Sequence, residues 1–126
     1  MIKIKHIMDA VEADDGMRLW VEPVGLTIDM RQWCAVHQIV RPIAPENELW
    51  EWFGEHPEGY EFFRGRYHED LTRTHLMPAL RQLAAAGIKE NYTLLHQGED
   101  PAHNTATALY EFLTELQAHC PPDPQP

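Results

Sequence analysis

The sequence predicts a single three-layer α/β domain, with a small, mostly parallel sheet of about four strands flanked by helices. Short apolar runs alternate with longer stretches in which apolar residues recur at helical spacing. The length, 126 residues, suits one domain with its own core rather than two. The last apolar run, Tyr92 to Leu95, passes through a polar loop into a helical pattern, the kind of connection on which parallel sheets are built.

The elements follow in order. Ile2, Ile4 and Ile7, with Lys3 and Lys5 around Ile4, predict a first strand closing near Met8 and Asp9. After the loop EADDG, Met17 to Val21 forms a second strand, stopped by Pro23 and Gly25. Thr27 or Asp29 caps a helix over Met30 to Val36. Gln38 to Ala44 is apolar, but Pro42 and Pro45 restrict it to an edge strand or an extended connector. Leu49, Trp52 and Phe53 mark the buried stripe of a helix over Glu46 to Gly54, broken by His56 and Pro57. Tyr60, Phe63, Tyr67 and Leu71 continue the period through a longer helix, leaving Glu61, Arg64, Glu69 and Asp70 to solvent. Pro78 sits in the first turn of a helix from His75 to Ala86, which Gly87 closes as a left-handed cap. In the final helix Asp100 is the expected cap and Pro101 the first residue. Its buried stripe is Ala102, Ala106, Leu109, Leu113 and Leu116, with His103, Thr107 and Tyr110 on the adjoining face. Residues 1–119 thus form the domain, and the proline-rich 120–126, CPPDPQP, is an expected disordered tail.

Composition narrows the function. Ten Lys and Arg against 20 Asp and Glu leave a formal charge of −10, and the basic residues do not cluster. Phosphate backbones and anionic lipid surfaces are repelled, so no nucleic-acid or membrane partner is expected. No run approaches the roughly 18 apolar residues of a membrane span, and the N-terminus lacks the apolar core of a signal peptide, so a cytoplasmic location is expected. Two cysteines, Cys34 and Cys120, stand without a CxxC or zinc spacing, which argues against a disulfide framework, and Cys34 reads as a small core residue. The chain contains no serine, which excludes serine-hydrolase chemistry. It has neither GxGxxG nor GxxxxGK[ST], so no nucleotide cofactor is expected.

Several stretches are similar to a known family. The DDG at Asp14, Asp15 and Gly16, the segment IAPENELWEWFGEHPEGYEFFRGRY from Ile43 to Tyr67, and the ending LLHQGEDPAHNTATAL from Leu94 to Leu109 resemble the YeaO-like branch of DUF488, a bacterial domain family of unknown function. The middle segment, with its AP-x-x-x-L-x-x-WF, H-x-P and EF-x-x-RY pattern, carries the resemblance most specifically. A compact α/β fold is what the resemblance implies, without an established substrate. Asp100, His103 and Asn104 match the shorter branch, whereas family members often have an apolar or aromatic residue or a cysteine where His96 stands. After its second strand the family has a V-D-R-L-W-P-R-G-like stretch, but this chain reads VEPVGL from Val21 to Leu26. Two arginines and a tryptophan are absent, leaving Arg18 and Arg31 as the nearby cations, so an activity resting on those arginines does not carry over.

If the strands run parallel, their carboxyl ends bring Asp9, Glu22, His96 and Asp100 to one rim, where such sheets place their pockets. The ligand-binding candidates are therefore Asp9, Arg18, Glu22, His96, Asp100, His103 and Asn104. An imidazole beside a carboxylate can relay protons, and Asp100 with His103 offers that pair within one turn. The alternative is structural, with Asp100 capping the helix and His103 supporting the cap. The expected function is binding of a small polar or anionic ligand, with no catalytic residue assigned. A noncatalytic interaction domain, homodimeric through Trp50, Trp52, Tyr60 or Phe62, is the alternative. A metal-dependent domain using His96, Asp100 and His103, joined by His6, is the second, although these match no strong zinc motif and no metal ligand is assigned. His37, His56, His68, His75 and His119 read as loop or helix-surface residues.

Overall fold

The computed structural model of the chain describes residues 1–119, so the expected tail at 120–126 lies outside the described residues. Strands β1 (Ile2–His6), β2 (Met17–Trp20), β3 (Gln38–Ile39) and β4 (Tyr92–His96) form one sheet in the order β1-β4-β2-β3, with every pairing parallel. The helices are α1 (Ile28–Trp33), α2 (Asn47–Glu55), α3 (Tyr60–Arg73), α4 (Met77–Lys89) and α5 (Thr105–Ala118). Pleating sends successive side chains to opposite faces. Leu19 and Leu94 accordingly enter one apolar cluster, while their neighbours Trp20 and Leu95 enter another. The first cluster is roofed by α3, α4 and α5 with partly buried residues of α2; the second is covered by Met30 of α1 together with Cys34 and Val36. This is the expected three-layer arrangement. Among the described residues no helix is long and apolar enough to cross a membrane.

Most elements fall within a residue or two of their expected bounds. Thr27 is the cap of α1, accepting from the Met30 N–H at 3.1 Å, but the helix ends before Val36 because Ala35 takes a left-handed φ of 51°. The stretch from Gln38 contributes only a two-residue edge strand before Pro42 enters a 3-10 turn at Arg41–Ile43. In α3, Tyr60, Phe63, Tyr67 and Leu71 are buried as their spacing requires. Gly16 explains the DDG sequence. Its φ is +63°, and a Cβ there would lie 1.9 Å from the Asn91 carbonyl oxygen, so only glycine lets the chain pass β4 into β2.

Three expectations are corrected. Gly87 is not a cap; it lies inside α4, whose cap is Glu90, and its missing Cβ makes room for Ile2 of β1, which an added methyl would approach to 2.5 Å. Asp100 does not cap α5, and Pro101 and Ala102 lie in the preceding loop. The cap is Asn104, whose Oδ1 accepts from the Thr107 N–H while the Thr107 hydroxyl accepts from the Asn104 N–H, both at 2.9 Å. Tyr60 is not part of an exposed aromatic layer, being 6% exposed with its hydroxyl 3.2 Å from that of Thr107. Lys3 and Lys5 both bond to Asp15, Lys3 also to Asp14, and Lys5 also to Glu12.

Candidate functional site

The sheet order creates a crevice. After β2 the chain leaves toward α1 on one face, and after β4 it leaves toward α5 on the other, so the carboxyl ends of these adjacent strands diverge. Divergence of this kind leaves an opening at the strand ends. A cavity of about 760 Å³ lies there, bounded by Glu22 after β2, by the loop from Gln97 to Thr105 after β4, and by α2 with Pro57.

Glu22 ties the walls together. It is 3% exposed, yet its Oε1 accepts from the Trp50 indole N–H and its Oε2 from the Gln97 N–H, both at 3.1 Å, with Thr105 as a further partner. Burial pushes its carboxyl above the usual range, and those three hydrogen bonds oppose the shift. One carboxylate thus joins β2 to α2 and to both ends of the β4–α5 loop. At the mouth, Asp100 accepts from the Ala102 N–H and from His103 Nδ1, both at 2.9 Å, and these contacts hold its carboxyl below the usual range. The His103 ring lies 4.7 Å from that of Tyr60. Asn104 is buried as the α5 cap, and its Nδ2 donates to the Asp100 carbonyl at 2.9 Å.

The seven candidates therefore divide. Glu22, Asp100, His103 and Asn104 line the cavity. His96 lies behind the loop. It pairs with His6 across β1 and β4, the rings 5.5 Å apart edge to face, and a Cβ on cavity-lining Gly98 would stand 3.7 Å from its Nδ1. Burial, reinforced by His6, pushes the His96 imidazole down to about 4, so it is neutral near pH 7. Asp9 is outside the lining and closes the turn after β1 by accepting from the His6 N–H at 2.9 Å. Arg18 lies near the opposite end of β2, where its guanidinium is 1% exposed, paired with Asp15 at 2.6 Å and donating twice to the Cys34 carbonyl. Burial alone would raise the Asp15 carboxyl, but Lys5, the Glu12 N–H, Lys3 and Arg18 hold it well below the usual range. Arg18 is thus held by internal bonds.

Sequence reasoning did not place α2 at the rim. Trp50, Glu51, Phe53 and Glu55 all line the cavity. The WEWF run showed an amphipathic helix, but nothing local indicated where that helix would lie against the sheet. Among the described residues, the trio able to bring three ligand atoms within 4.8 Å of one another is Glu12, Asp14 and Asp15. Lys3 and Lys5 already bond to those carboxylates. His96, Asp100 and His103 form no such trio.

Comparison with known proteins adds three findings. A family model described as the inactive DUF488-N3 subclade matches residues 1–123. Uncharacterised proteins of Mycobacterium bovis and of two Mycobacterium tuberculosis strains are 28% identical over 93 residues, covering 69% of this chain and 74% of each of theirs. No solved structure matches the chain.

Proposed function

The chain belongs to the inactive DUF488-N3 subclade, and from that membership we propose that it is a binding domain which holds a small polar ligand at the carboxyl ends of β2 and β4 without turning it over. The observation that carries this reading is the cavity at the strand divergence, with polar groups converging on it from β2, α2 and the β4–α5 loop. The VEPVGL segment supports the noncatalytic part, since it lacks the arginines of the family-like stretch.

Protein-detected NMR with a collection of small amines, amides and alcohols tests it. Ligands should shift the backbone amides from Gln97 to Thr105 and the Trp50 indole N–H together. Shifts scattered over other faces would refute the reading. His103→Ala, at an exposed ring on the cavity mouth, should weaken a hit by about three- to tenfold while leaving the urea midpoint nearly unchanged. Equal losses in binding and folding would make the residue structural.

A second reading, a homodimer formed through the exposed apolar side chains of α1, rests on Trp33 at 84% and Ile28 at 76% exposure. Sedimentation over a concentration series tests it. A monomer mass throughout would exclude it, and Trp33→Ser should abolish any dimer seen.

A further inference from the structure

We propose that the ligand of this cavity is a cation, an ammonium or guanidinium group on a small apolar body. The proposal rests on the pocket reading above and adds the charge class. Five of the fourteen residues lining the cavity are acidic, Glu22, Glu51, Glu55, Glu99 and Asp100, against 20 of 126 in the whole chain, and none is Lys or Arg.

The five carboxylates do not have the same work. Glu22 spends both oxygens on Trp50 and Gln97, and Asp100 is bound to Ala102 and His103. Glu51, Glu55 and Glu99 line the cavity from exposed positions and have no ion pair among the described residues. A cation entering there gains attraction from several directions. Trp50 adds an indole to the wall, a surface suited to an ammonium or its alkyl stem. An anion meets the opposite situation. One of the helix-start donors it would seek, the Thr107 N–H, is already occupied by Asn104 Oδ1.

Three probes with one ring and different charge make the test: benzylammonium, benzyl alcohol and benzoate, each titrated into the full chain at pH 7 and low salt with the Gln97 to Thr105 amides observed by NMR. Benzylammonium should bind at least about tenfold more tightly than benzyl alcohol, and benzoate should bind most weakly. The preference should shrink as sodium chloride is added. Glu51→Gln with Glu99→Gln, both at exposed positions, should weaken benzylammonium by about fivefold or more and leave benzyl alcohol unchanged. Equal binding of all three probes, or preference for benzoate, overturns the charge assignment and leaves the pocket standing. Failure of all three to perturb these amides overturns the pocket reading itself.

Discussion

Glu22 and His96 are both buried and both titratable, and their effects on stability run in opposite directions. Glu22 has a folded pKa above its ordinary value, so the folded state holds its proton longer than the unfolded chain does. Its contribution to stability therefore falls as pH rises from the usual carboxylate range toward the raised value. His96 has a folded pKa of about 4 against an ordinary 6.5, so the unfolded chain takes the proton first. Stability from neutral His96 is complete above pH 6.5 and is lost as pH falls toward 4, a change of about 3 kcal/mol. Urea denaturation across pH should show that loss, and His96→Gln should flatten it. In Glu22→Gln one acceptor becomes a donor facing the Gln97 or Trp50 N–H, which should cost about 1–3 kcal/mol at pH 7. A neutral result would mean that the carboxylate does not join the cavity walls.

Helix boundaries in this chain depend on which side chain reaches the open backbone donors. Asp100 and Asn104 both have side chains of the capping type, four residues apart, and only Asn104 forms the reciprocal pair with Thr107. Asn104→Ala should therefore lose about 1–2 kcal/mol of stability, and Asp100→Ala should lose less; the reverse order in thermal melts would put the α5 start back at Asp100. Helix α4 meets β1 through the absence of a side chain. Gly87→Ala should destabilise by about 1–3 kcal/mol because the new methyl meets Ile2. Combined with Ile2→Ala, it should cost less than the sum of the two single changes, a coupling that a double-mutant cycle reads directly. A left-handed cap would tolerate alanine poorly as well, but Ile2→Ala could not relieve that strain.

With a net charge of −10, the folded chain repels itself, and salt screens that repulsion. The melting temperature at pH 7 should rise as sodium chloride is raised toward physiological strength, and the gain should shrink at acidic pH as carboxylates protonate; a melting temperature insensitive to salt would show that local pairs such as those around Asp15 already neutralise the field. Apolar periodicity was enough to reveal the α/β class, the four strands and the helices, because strands and helices each leave a local signature of two or about 3.6 residues. The carboxyl-end location of the cavity was legible too, since Glu22 and the Gln97 to Thr105 loop follow directly from strand ends. The position of α2 over those ends, the bonding of Arg18 to Asp15, and the packing of Gly87 on Ile2 were not legible. Each joins residues distant in sequence, or picks one partner among several that local spacing permits. Which strands become neighbours, and which helix closes over their ends, emerges only when the two apolar faces of the sheet are buried together.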